Sequence, residues 1–181
     1  MKRIFLSVPS VDELSYRKEL MSDSKTMVYN AGYDLNLDGY DKETGTIVKS
    51  DLEMLDWYNK WINKEPERYY AYINSIDEGT VIGEVYYYLN NGTYSMGIVI
   101  QNKYRGKGYS YLALRELEEV AFEKNGISEL SDFIPENRVS AINSFKKAGF
   151  VFSGKESINK VFDKEVVSKE LIITRDMYFK G

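Results

Sequence analysis

The chain has 181 residues, with 28 acidic against 24 basic side chains for a formal net charge of −4, and it contains neither cysteine nor histidine. Those two absences exclude thiol nucleophiles, Ser-His-Asp triads, zinc fingers and histidine-based metal clusters, so no metal site is expected and proton transfer falls to Asp, Glu, Tyr, Lys or ordered water. The acidic balance argues against sequence-independent binding to phosphate backbones, and no nucleic-acid partner is expected.

A chain of this length suits one domain, residues 1–181, which can bury about 70% of its unfolded surface without staples. At the N-terminus, MKRIFLSVPSVDEL has a short apolar stretch broken by Pro9 and Asp12, too short for a signal segment. Nowhere do about 18 apolar residues run together. The expectation is a cytoplasmic protein with no membrane partner.

Residues 3–8 read as a short strand. Ser10 then stands as a helix N-cap with Glu13 three residues on, before the helix VDELSYRKELM. Residues 30–50, with Gly32, Gly39 and Gly45 among Asn and Asp, are the least regular part. Ser50 or Asp51 opens a second helix, DLEMLDWYNKWIN, with Leu52, Leu55, Tyr58 and Ile62 at helical spacing. From Arg68 the period becomes two: RYYAYINS, a turn at Asp77-Glu78-Gly79, TVIGEVYYYLN, a turn at Asn90-Asn91-Gly92, then TYSMGIVIQ, three consecutive antiparallel strands. The stretch YSYLALRELEEVAFEKNG is a helix ending at Gly126. ISELSDFIP reads as a strand, VSAINSFKKAG as a helix closed by Gly149, and FVFSG and KELIITRDMYF as two last strands. The string β-α-α-β-β-β-α-β-α-β-β is an α+β, mixed-sheet pattern.

The informative segment runs from Ile98 to Ser110, IVIQNKYRGKGYS, and is followed by a helix. A strand, a glycine-bearing turn and a helix N-terminus together present unpaired N–H groups and the positive helix end, a geometry that suits a pyrophosphate. Gly106 and Gly108 let the backbone approach phosphates, while Arg105 and Lys107 add charge. The string is not a Walker loop. It is not a dinucleotide fingerprint either, because Tyr111 stands at the third glycine and the preceding strands are hairpin-linked.

What the letters do match is R-G-x-G-x-(small), which resembles the acyl-CoA loop of the GNAT N-acetyltransferases. Downstream, Pro135-Glu136-Asn137 and the run from Ala141 to Phe150, AINSFKKAGF, are similar to that family's N…AI…(Y/F)xKxGF segment. VIGEVYYY resembles its third strand and YSMGIVI its fourth. Residues 68–155 carry the resemblance, and residues 3–67 fit the family's strand and two helices only in outline. The resemblance implies a single-domain GNAT-like fold, a mixed, mostly antiparallel sheet of about seven strands flanked by about four helices, with acetyl-CoA as co-substrate. It implies that the backbones of Ile98 and Ile100, with Val99 between them, pair with the pantetheine arm. Arg105, Gly106, Lys107, Gly108, Tyr109 and Ser110 would hold the pyrophosphate, Asn137 would bond the pantetheine or phosphate region, and Phe145 would sit near the thiol. Transfer would be direct attack of an amine on the thioester. Ser110 replaces the usual Gly or Ala, and Phe145 stands where many members carry the tyrosine assigned to protonate the thiolate.

Two carboxylates are candidates for catalysis. Glu84 lies in an apolar strand, where Ile82, Glu84, Tyr86 and Tyr88 share one face. It either faces the cleft or is an exposed residue on a half-solvated strand. Asp132, in LSDFIP, resembles the acidic residue with which aminoglycoside N-acetyltransferases contact the substrate amine, against the reading of a strand-end Asp. Tyr94 either orients substrate or packs in its strand. The 16 tyrosines, clustered at 69, 70 and 72 and at 86 to 88, are explained by strand packing before a ligand cage. Trp57 and Trp61 are core packing before cleft residues, and Glu116, Glu118, Glu119 and Glu123 form a solvated helix face.

The function expected is an N-acetyltransferase acting on a primary amine of a small molecule, cationic in the manner of an aminosugar or polyamine. The alternatives are a peptide N-terminal acetyltransferase and a non-catalytic acyl-CoA-binding module. Acceptor determinants are expected in the first two helices and residues 30–50; the sequence does not fix the oligomeric state, and pairing of sheet edges would allow a homodimer.

Overall fold

In the computed structural model, which describes residues 2–181, the tyrosine-rich segments pair as their alternation requires. The elements in chain order are β1 (Ile4–Ser7), α1 (Leu14–Ser22), α2 (Ser24–Met27), α3 (Asp51–Trp61), β2 (Arg68–Ser75), β3 (Thr80–Asn90), β4 (Thr93–Ile100), α4 (Tyr109–Glu119), β5 (Glu129–Pro135), α5 (Val139–Ala148), β6 (Val151–Val161), β7 (Lys164–Thr174) and α6 (Arg175–Lys180). One seven-stranded sheet results, in the order β1-β2-β3-β4-β5-β7-β6. Every neighbouring pair is antiparallel except β4 with β5, which run parallel and meet at a single register pair, Ser95 opposite Ser131. The expected α+β sheet and strand count are as found. Among the described residues no helix is long and apolar enough to cross a membrane.

Side chains on β2 to β4 alternate between two packed layers. On one face Tyr69, Ala71, Ile73, Val85, Tyr87 and Met96 bury against Ala113, Leu114 and Leu117 of α4. On the other, Tyr70 and Tyr72 pack with Tyr86 and with Ile62, Trp57 and Trp61 of the α3 region. Each fully buried aromatic contributes roughly 1.5–3 kcal/mol. The β2–β3 register slips between Ile73 and Asn74. The bulge turns Ile82 into the α4 layer and Val81 into the other. Ile82 therefore does not share the face of Glu84 and Tyr86, contrary to the alternation read from the sequence.

Four further readings are corrected. Helix α3 buries Met54, with Trp57 and Tyr58 partly covered, whereas Leu52 and Leu55 are exposed. Glu118, expected on a solvated face, is fully buried and pairs with Arg115 at 2.5 Å, and α4 continues into one π turn at Val120–Lys124. The RDMYF segment is helical rather than strand, because Thr174 accepts the Met177 N–H and caps α6. Last, β6 does not end with FVFSG but runs on into a long hairpin with β7. The tip of that hairpin reaches the loop after α2: the Phe162 N–H donates to the Gly32 carbonyl at 2.9 Å, Tyr33 bridges Val161, and the Phe162 ring fills the space beside Gly32.

Candidate active site

Beyond the Ser95–Ser131 pair the two parallel strands part, and a cavity of about 670 Å³ opens between them. Gly97, Ile98, Val99 and Ile100 line its β4 side, and Asp132 to Pro135 its β5 side. The edge of β4 there has no β5 partner, so apart from the Ile100 carbonyl, which accepts from Arg105, its N–H and C=O groups are free to pair with an extended ligand arm.

At the end of β4 the chain turns through residues 102–108 into α4. Gly108 is the N-cap of α4 at φ 86°, in the left-handed region, and no side chain caps the helix. A Cβ there would meet nothing within 4 Å, so it is the backbone angle, not crowding, that selects glycine. The first-turn N–H groups of α4 are thus left for an anion. The free β4 edge and this uncapped helix start fit an arm ending in a pyrophosphate.

Arg105, Gly106 and Ser110 line the cavity with Ile98, Val99 and Ile100. Arg105 is already engaged: its Nε donates to the Ile100 carbonyl at 3.0 Å and its Nη2 to the Thr26 carbonyl, and burial draws its pKa below the usual arginine value. It fastens the loop to β4 and α2 while presenting positive charge. Lys107, Gly108 and Tyr109 lie outside the cavity lining. Lys107 pairs with Glu78 at 3.1 Å, and buried Tyr109 donates to the same carboxylate at 3.0 Å. That side of the loop is thereby held to the turn after β2.

Asn137 and Phe145 both line the cavity. Asn137 is at the exposed rim, while Phe145 is buried and packs edge-on against Phe150, centroids 4.9 Å apart. Of the two carboxylates, only Asp132 reaches the cavity. Burial pushes it up to about 7, against the pull of the Phe133 N–H and the Arg138 charge. Glu84 is buried one layer away. It accepts from the Tyr70 hydroxyl and pairs with Arg17 at 3.7 Å. The Arg17 guanidinium in turn lies 4.1 Å from the Trp57 ring centroid. Tyr94 packs edge-on against Tyr87 at 5.7 Å, in the core layer.

Sequence reading missed several cavity residues. Tyr29, Asn30 and Tyr33 form the wall contributed by the loop after α2, within or beside the stretch that was expected to hold acceptor determinants. Arg138 donates to the Tyr29 carbonyl and lies 5.2 Å from its ring; its only sequence signal is adjacency to Asn137. Tyr86 enters from β3 and was indistinguishable from its tyrosine neighbours.

The same architecture recurs in solved structures. A spermidine N-acetyltransferase from Vibrio cholerae, solved in complex with CoA and spermine, superposes with a TM-score of 0.76 over 97% of this chain and 98% of that one, at 16% identity. An acetyltransferase of the GNAT family from Bacillus anthracis gives 0.69 over 97% and 99%, at 18% identity. No curated protein matches the chain. The family model for the acetyltransferase (GNAT) domain matches residues 3–151. With that match over most of its length and the split sheet that accompanies it, the chain belongs to the GNAT family of acetyltransferases.

Proposed function

We propose that this protein moves an acetyl group from acetyl-CoA to the primary amine of a small, cationic acceptor. The observation that carries the reading is the split between β4 and β5, which has the uncapped start of α4 at one end and Asp132 on its wall. The pantetheine arm would run along the backbones of Ile98, Val99 and Ile100. The pyrophosphate would sit at residues 105–110, with Asn137 at the rim. The acceptor arrives as an ammonium ion, and the Asp132 carboxylate takes one of its protons. The freed nitrogen attacks the thioester carbonyl, the C–N bond forms, the C–S bond breaks and CoA leaves as a thiolate. Glu84, held by Tyr70 and Arg17, positions the layer under the cavity and leaves proton transfer to Asp132. A polyamine or aminosugar acceptor is supported by this carboxylate and by the fold shared with a spermidine enzyme.

The test is isothermal titration with acetyl-CoA and CoA, followed by measurement of CoA release over a panel of polyamines, aminosugars and peptide amines. Gly108→Glu is the control: the space around Gly108 is open, the left-handed backbone angle costs a side chain about 1–2 kcal/mol, and with folding verified by circular dichroism the carboxylate occupies the anion seat. Saturable binding weakened at least about tenfold by the substitution is expected. No binding at millimolar ligand overturns the reading. Binding with the thioester left intact by every amine would make the protein a binding module.

A further inference from the structure

We propose that Tyr86 is a further catalytic residue, whose hydroxyl donates a hydrogen bond to the sulfur of the departing thiolate. This rests on the acetyltransferase reading above.

Phe145 brings no polar atom to the cavity, yet a sulfur anion generated there needs a donor as the C–S bond lengthens. Tyr86 lies across from it. Phe145 belongs to the core layer beneath α4, whereas Tyr86 packs with Tyr70 and Tyr72 on the opposite face of the sheet. Both line the same cavity. Tyr86 is directly opposite Gly97 on β4. A Cβ at residue 97 would fall 2.5 Å from the tip of the Tyr86 ring and 2.5 Å from its hydroxyl oxygen. Only a glycine lets the hydroxyl lie over β4 at this point, two residues past the pair where β4 and β5 part.

Three of the neighbouring hydroxyls are committed elsewhere. Tyr70 donates to Glu84, Tyr72 to the Glu13 carbonyl, and the Tyr87 oxygen accepts from Asn125. Among the described residues the Tyr86 hydroxyl has no hydrogen-bond partner. Its ring is nevertheless fixed, with Trp61 edge-on at 5.5 Å, Tyr70 stacked at 6.3 Å and Tyr88 at 6.5 Å. A located, unpartnered donor inside a cavity is poised for a ligand atom. Burial holds the Tyr86 hydroxyl in its protonated form, so it donates and never serves as base. Proton accounting then closes without it. Asp132 takes one proton from the ammonium ion and returns it to sulfur, the amide nitrogen releases a second to water, and Tyr86 keeps its own.

Wild type, Tyr86→Phe and Tyr86→Phe/Phe145→Tyr are compared by acetyl-CoA titration and by steady-state CoA release with one amine. Phenylalanine keeps every ring contact, so binding of acetyl-CoA and the amine KM are expected within about twofold of wild type while kcat falls roughly 10- to 100-fold. The added hydroxyl at 145, on the facing wall, is expected to recover part of that loss. A Tyr86→Phe kcat within about twofold of wild type overturns the proposal and leaves the acetyltransferase reading standing. So does a fall in kcat matched by an equal loss of acetyl-CoA affinity. Wild-type protein that releases no CoA with any amine overturns both.

Discussion

Asp132 sets the expected pH dependence. Its carboxyl is pushed up to about 7, and only the charged form can take a proton, so kcat/KM is expected to rise with pH through about 7 and level off above it. Asp132→Asn should lower kcat roughly 10²- to 10⁴-fold and flatten that limb in a pH–rate profile; an unchanged limb would assign it to another group. Gly97→Ala tests the close approach over β4. The added methyl displaces the Tyr86 hydroxyl, and the loss in kcat should match that of Tyr86→Phe without adding to it in a double-mutant cycle. At this scale the sequence was informative where a residue's placement depends on near neighbours: Arg105, Gly106, Ser110 and Asp132 were singled out in the chain and all four line the cavity. It was silent where the partner is distant: Glu84 is claimed by Arg17, 67 positions away, and Ile82 changes face because of a slip in register that no alternation of letters announces.

Helices and hairpins separate into those whose ends are written locally and those that are not. α3 begins with a reciprocal cap, in which Glu53 accepts the Ser50 N–H at 2.8 Å and Ser50 Oγ accepts the Glu53 N–H at 3.3 Å. Ser50→Ala should therefore destabilise the protein by about 1 kcal/mol in urea denaturation. The same logic made both N-terminal caps readable in the chain. The β6–β7 hairpin was not readable, because most of β6 is exposed and its polar run SGKESINK carries no buried stripe. Its tip nonetheless shapes the site, since Phe162 holds the loop that supplies Tyr29 and Tyr33 to the cavity. Phe162→Ala is expected to raise the amine KM several-fold and leave acetyl-CoA affinity within about twofold, if the wall it supports faces the acceptor as the proposed function requires. Equal weakening of both ligands in the titration would show that the hairpin supports the whole cavity instead.

For the molecule as a whole, three raised carboxyls bear on stability against pH, among them Glu116, raised by burial and by Glu119. Asp132 and Glu118 are each pushed up to about 7 by burial, while in the unfolded chain both titrate near 4. Across that interval the folded state binds more protons, so stability falls as pH rises from about 4 to about 7. Glu53, lowered to about 2 by Ser50 and Lys49, acts oppositely: its contribution is present above the unfolded value and lost as pH falls toward about 2. The melting temperature should thus peak near pH 4–5 and be lower at pH 8. Glu118→Gln should shrink that drop; a melting temperature as high at pH 8 as at pH 5 would refute the argument. The sheet order also limited what the sequence could tell, because nothing in the letters says that β7 inserts between β5 and β6. That insertion has a consequence for biosynthesis. The strand bearing Asp132 gains its antiparallel neighbour only after residues 164–174 have emerged from the ribosome, long after the loop and uncapped start of α4 have been translated. On the proposed function, a nascent chain paused before β7 would hold the means to dock its donor and lack a fixed base to use it, so competence would arrive with that strand.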